Sequence, residues 1–93
     1  MRISVELDFS FKRALGEGYR TLEPADGATV REGIRALTRR YPEVAARLLD
    51  EAGKIRRNIH ALVNGGNVQF RERFDTLLED GDRLSILAPV GGG

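Results

Sequence analysis

The chain has 93 residues, 41% of them apolar and 31% charged, with a formal net charge of +1 and no cysteine. That length suits one domain with a modest core, the absence of cysteine excludes disulfides, thiol catalysis and thiolate metal sites, and the near-neutral charge gives no global field to gather nucleic acid or an acidic membrane. With no apolar run near about 18 residues and no basic-then-apolar leader, the chain is expected neither to span a membrane nor to carry a secretory signal, and a cytoplasmic address follows as the expectation.

Residues 2 to 9 alternate. Ile3, Val5, Leu7 and Phe9 point one way, and Arg2, Ser4, Glu6 and Asp8 the other. A period of two predicts a half-buried strand. Phe11 to Gly18, with two glycines and mixed charge, predicts a turn. Tyr19 to Glu23 then pairs back as a second strand, closed by Pro24.

Asp26-Gly27 is a turn signal, and Thr29 to Glu32 has capping-box spacing. Thr29 can accept from the N–H of Glu32, while the Glu32 carboxylate reaches back to the N–H of Thr29. Val30, Ile34, Leu37 and Tyr41 recur at helical spacing and define one apolar face. Pro42 interrupts this helix. The pattern resumes from Glu43 to Glu51 through Val44, Leu48 and Leu49, with Gly53 expected to end it.

Ile55 to Asn64 predicts the next strand, with Ile59, Ala61 and Val63 on one side and His60 and Leu62 on the other. Asn64-Gly65-Gly66-Asn67 is a tight-turn signature, and Val68-Gln69-Phe70 is expected as the short return strand. Phe74 to Leu78 makes a connection anchored by apolar side chains, and Asp80-Gly81 turns the chain into the last strand. There Leu84 and Ile86 face the core, which puts Leu87 on the outer face with Leu62. The order is strand, strand, helix, strand, short strand, strand. A helix crossing over after a hairpin predicts an α+β fold, a mixed sheet packed on one main helix, with the first and last strands as a parallel central pair. That is the β-grasp, or ubiquitin-like, architecture. Residues 1–88 form the domain and 89–93 a flexible glycine tail.

The tail is Pro89-Val90-Gly91-Gly92-Gly93. Proline cannot donate to a sheet ladder and so ends the strand. Consecutive glycines are costly to order and bury almost nothing, but they pass through spaces that a β-carbon would block. Five extended residues reach roughly 15 Å. Taken alone, such a tail reads as a frayed end.

In this order the chain resembles the ubiquitin-like sulfur carriers, which include the small subunit of molybdopterin synthase, the thiamine-pathway carrier and the cysteine-pathway carrier. The resemblance rests on Val63-Asn64-Gly65, Asp75-Thr76-Leu77, Leu78-Glu79-Asp80-Gly81-Asp82 and Ile86 to Gly93, with Tyr41-Pro42 closing the helix. Two positions depart from the family pattern. Gly91 precedes the terminal glycine pair, where another residue often stands, and Ala88 replaces a proline common in molybdopterin-type carriers. Ala88, the segment after Pro42 and the chain length give it the look of the cysteine-pathway type.

The resemblance implies a non-catalytic carrier. A partner enzyme of the ubiquitin-activating type, using ATP with Mg, adenylates the carboxylate of Gly93. A sulfur donor then displaces AMP to leave a thiocarboxylate, which passes sulfur to an accepting synthase. Gly91 and Gly92 thread the partner's active site, and Leu62, Leu87, Pro89 and Val90 dock against it. No bound cofactor, no metal, no nucleic acid and no membrane are expected. Two other classes stay open: a modifier joined to target lysines by isopeptide bonds, and an interaction domain whose tail is idle.

Other candidates are weaker. Gly16-x-Gly18 and Gly65-Gly66 lack the strand-to-helix context of a nucleotide loop. His60 has no ligand-spaced neighbours and reads as a sheet residue. Glu79, Asp80 and Asp82 suit Asp-Gly turn chemistry better than a cation site. Arg39-Arg40 and Lys54, Arg56 and Arg57 read as solvated faces, with an acidic partner surface as the alternative. No aromatic interleaves these charges, which counts against nucleic acid.

Overall fold

The computed structural model describes residues 1–7 and 20–87. Asp8, Phe9, the turn expected from Phe11 to Gly18, Tyr19 and the segment from Ala88 to Gly93 lie outside the described residues. Five strands form one sheet: β1 Ile3–Leu7, β2 Arg20–Leu22, β3 His60–Val63, β4 Gly66–Asn67 and β5 Arg83–Leu87, in the order β2-β1-β5-β3-β4. β1 and β5 run parallel at the centre, and the other pairings are antiparallel. This is the mixed β-grasp sheet that the sequence predicts.

Helix α1 (Val30–Arg40) crosses between β2 and β3 and covers one face of the sheet. Its start is the expected capping box, in which the Thr29 hydroxyl accepts from the Glu32 N–H and the Glu32 carboxylate accepts from the Thr29 N–H, both at 3.2 Å. Such a cap contributes about 1 kcal/mol. Val30, Ile34 and Leu37 are fully buried, and Tyr41 packs partly against the same core. The helix stops at Tyr41 because Pro42 disfavours helical geometry in the residue before it; Tyr41 has φ −129° and ψ 79°.

Gly33 shows how closely helix and sheet approach. A β-carbon built there would meet Leu78 Cδ1 at 3.0 Å and Leu84 Cδ2 at 3.6 Å. Ile3, Val5, Leu84, Ile86, Ala61 and Val63 line the sheet's inner face, each buried. Covering one such large side chain is worth about 1.5–3 kcal/mol relative to leaving it exposed.

Three expectations are corrected. First, the helical pattern of Glu43 to Glu51 is realised only as a 3-10 turn, Pro42–Val44, and one short helix, α2 (Ala45–Leu48). Leu49 is extended and bridges Ile55, because the Asp50 carboxylate accepts from the N–H groups of Ala52 and Lys54 at 2.9 Å and folds the chain back. Aspartate competing for backbone donors in this way is what makes it a poor helix interior. Second, for the same reason the strand expected from Ile55 begins only at His60: Ile55 is committed to Leu49, and Arg56 N–H donates to the Leu48 carbonyl.

Third, Val68–Phe70 is a 3-10 turn and not the return strand. The hairpin loop is only Asn64-Gly65, with φ of 51° and 87°, so pairing resumes at once and β4 is Gly66–Asn67. Positive φ at both loop residues matches the twist of the flanking strands. Asn67 Oδ1 then accepts from the Gln69 N–H at 2.9 Å and caps the 3-10 turn.

Candidate functional site

β5 ends at Leu87, and the residues nominated for chemistry follow it. Pro89, Val90, Gly91, Gly92 and Gly93 lie outside the described residues. The structure describes the root from which they leave. On the sheet's outer face β3 and β5 pair His60 with Leu87 and Leu62 with Ser85. Leu62 and Leu87 are therefore diagonal neighbours, a geometry that spans roughly 7–8 Å between backbones.

Leu87 is 37% exposed and Leu62 half-buried. Around them the face is polar: Ser4, Glu6 and Ser85 are half-buried, and Thr21, His60 and Arg83 exposed. The two leucines make an apolar island beside the tail's root. It is too small to hold a partner alone, since burying what remains exposed would contribute only a fraction of the ~1.5–3 kcal/mol of a full side chain. An anchor within a larger interface suits it better. Below it, a shallow groove of about 530 Å³ is walled by Ser4, Glu6, Arg83 and Ser85 and presents mainly hydrogen-bonding groups.

The start of β5 is fixed by the turn before it. Asp82 is buried, and its carboxylate accepts from Asn64 Nδ2 at 2.9 Å and from the Glu79 N–H at 2.7 Å. Asn64 Oδ1 accepts in return from the Arg83 N–H at 2.9 Å. Asp80 accepts from the Arg2 N–H at 2.7 Å, tying the turn to β1. Asp80 and Asp82 are thus occupied in shaping the turn, in keeping with the Asp-Gly reading. Among the described residues no group of three or more His, Cys, Asp or Glu is placed to hold a metal ion. His60 sits exposed on the sheet surface.

Among the described residues two titrating groups are displaced from their ordinary values, and they answer each other. The hydrogen bond at 2.8 Å between the Met1 ammonium and Asp26 raises the amine and lowers the carboxyl. This is an exposed ion pair at the far end of β1, with no chemistry near it.

Sequence reasoning missed two exposed apolar side chains, Phe70 at 84% and Leu77 at 60%. Phe70 falls in the segment expected as a return strand, where alternation would put it on the same face as the buried Val68. It also missed the Asn64–Asp82 clamp, for which the only signal is that both are turn residues able to bond backbone.

A model of the ThiS family matches residues 10–93. Small archaeal modifier protein 3 of Haloferax volcanii is 30% identical over 93 residues, all of both chains. The sulfur carrier protein CysO of Mycobacterium tuberculosis is 35% identical over 71 residues, 74% of this chain and 76% of that one. Among solved structures, a chain of the Amycolatopsis orientalis BexX/CysO complex superposes with a TM-score of 0.74 at 33% identity, covering 98% of this chain and 99% of its own. The sequence relatives are named as a small modifier and a sulfur carrier rather than as catalysts, and the solved chain comes from a complex of BexX with CysO.

Proposed function

The chain belongs to the ThiS family, and on that premise we propose that it is a sulfur carrier whose reacting group is the carboxylate of Gly93. The observation that carries this reading is positional: the central strand β5 ends at Leu87, one of the outer-face leucine pair, and six residues, the last three glycine, follow it and end on Gly93. The family match also runs through Gly93.

A carboxylate resists nucleophilic attack because its negative charge is delocalised over both oxygens. In the proposed cycle an oxygen of Gly93 attacks the α-phosphorus of ATP, held with Mg by the partner enzyme, and pyrophosphate leaves. The acyl carbon of the mixed anhydride is then attacked by a sulfur donor. When the donor delivers its sulfur as hydrosulfide, AMP departs with the C–O bond's electrons, the new S–H group loses its proton, and a thiocarboxylate remains. Its sulfur attacks the acceptor held by a synthase, and water then cleaves the acyl C–S bond and returns the carboxylate. In this cycle the chain contributes reach, thinness and a docking face. Gly91 and Gly92 pass where side chains could not, and Leu62 and Leu87, with Pro89 and Val90, seat the partner. ATP places the cycle in the cytoplasm.

The relatives leave the same activated terminus two fates. The full-length match to a small archaeal modifier supports a second reading, in which a lysine amine of a target protein displaces AMP instead and forms an isopeptide. The identity of the CysO relative supports the carrier reading and a cysteine-forming pathway.

Intact mass of the protein isolated from its own cells tests the proposal. The carrier reading predicts a fraction heavier by the difference between sulfur and oxygen, and reactive toward an alkylating agent at its C-terminal peptide. Oxidation of Met1, the one methionine, gives the same nominal gain but no alkylated C-terminal peptide. Only unmodified chain, together with branched glycine adducts on other proteins, would favour the modifier reading.

A further inference from the structure

We propose that two basic clefts meeting at Phe74 form a docking surface for an acidic segment of a partner protein that carries one apolar side chain. The first cleft, about 500 Å³, sets Arg31, Arg35 and Lys54 around Ile55 and Phe74. The second, about 260 Å³, is walled by Arg57, His60 and Arg73 over a floor that includes Ile59 and Val68. Phe74 lines both and is the wall they share.

Among the described residues neither lining contains a carboxylate. Arg31 is partly answered by Asp75 at 2.7 Å, whereas Arg35, Lys54, Arg57 and Arg73 have no ion pair among the described residues. The whole chain carries a net charge of only +1. The clefts therefore reflect segregation of charge on one surface, not an excess over the molecule, and segregated charge is what steers a complementary partner. Arg73 adds an independent sign. It is held at φ 54°, in the left-handed region that non-glycine residues seldom adopt, and such outliers collect at binding sites.

The occupant follows from the chemistry. Cations over an apolar floor match carboxylates flanking a leucine or phenylalanine. A phosphodiester backbone would gain from the charges but not from Ile55 and Phe74, the half-buried apolar side chains of the clefts. His60 lines the second cleft and pairs across the sheet with Leu87, so a segment seated there lies beside the root of the tail. The inference stands on charge and shape and does not depend on the chemistry proposed for Gly93.

The test is a nitrogen-15 NMR titration of the full chain with a synthetic Asp/Glu-rich peptide bearing one central leucine. Amide shifts should centre on Arg57 to His60 and on Phe74, and the affinity should fall as salt rises. Replacing the peptide's acids by Asn and Gln, or using the double variant Arg57→Glu with Arg73→Glu, should weaken binding at least about tenfold. Both arginines are exposed, and an unchanged amide spectrum elsewhere would establish that the double variant is folded. No saturable shifts, equal binding of the neutral peptide, or shifts mapping to Arg39 and Arg40 would overturn the proposal. So would a single-stranded oligonucleotide of equal charge displacing the acidic peptide from the same residues.

Discussion

Along β5, Leu84 and Ile86 are fully buried beneath α1, while Ser85 is half-buried and Leu87 is exposed on the opposite face. The same alternation holds on β3, where Ala61 and Val63 are buried, Leu62 is half-buried and His60 is exposed. One face of the sheet is thus buried for stability, and the other stays accessible and carries the leucine pair proposed to dock a partner. What separates them is the reversal of side-chain direction at each successive residue, so a change of one position in sequence exchanges a covered position for an accessible one.

That contrast can be broken most visibly on the inner face. Leu84→Ala should cost about 2–5 kcal/mol, since Leu84 is closed over by the helix near Gly33 and the site has little room to collapse. Urea unfolding would show a lower midpoint at an unchanged slope. A loss below about 1 kcal/mol would mean that helix and sheet are packed less tightly than the 3.6 Å between a β-carbon at Gly33 and Leu84 Cδ2 implies.

Three residues on, Leu87→Glu should do the opposite. The fold should keep its midpoint within about 0.5 kcal/mol, as for other surface changes. Affinity for the activating enzyme should fall at least about tenfold, because a charge would enter an apolar contact without a partner. Calorimetry with that enzyme, alongside a circular dichroism melt, separates the two effects. An unchanged affinity would remove the leucine pair from the docking surface.

The smallest effect belongs to the exposed pair of Met1 and Asp26. Its carboxyl is lowered by the hydrogen bond from the amine, so its contribution is present above the ordinary value of 3.8 and lost as pH falls through its folded value. The amine is raised, chiefly by the hydrogen bond from that same contact, so its contribution is complete below 8.0 and lost as pH rises through its folded value. Melting temperature should therefore decline slightly at both ends, and Asp26→Asn should flatten both declines. Identical pH profiles for the two proteins would show that the pair is not formed in solution.

Most of the fold was legible because its longer elements carry their period openly. β1 alternates through Ile3, Val5 and Leu7, and α1 combines a capping box with Val30, Ile34 and Leu37 at helical spacing. Where legibility failed, a contact distant in sequence or a side-chain bond to backbone had decided the outcome. Ile55 looked like the start of a strand but is held by Leu49, through a turn that Asp50 builds. Val68 to Phe70 has strand composition, yet the two-residue loop at Asn64-Gly65 had already assigned the pairing to Gly66 and Asn67. The outer-face leucines could be placed from alternation alone. The basic clefts could not, because they join Arg31 and Arg35 of α1 to Lys54, Arg57 and Arg73 from separate segments. The tail was legible only as sequence.

The tail is also where the contrast between stability and function should be sharpest. Pyrophosphate exchange with the cognate activating enzyme, run on the full chain and on a chain lacking Gly92 and Gly93, tests the central claim most directly. Each residue removed shortens the extended reach by roughly 3.5 Å, well outside the tolerance for attack on a nucleotide phosphate. The account predicts that exchange is abolished in the truncated chain while its melting temperature stays within about one degree of the full chain's, since terminal glycines bury little. Exchange by the truncated chain at the full-length rate would contradict it and leave an interaction domain whose tail is idle.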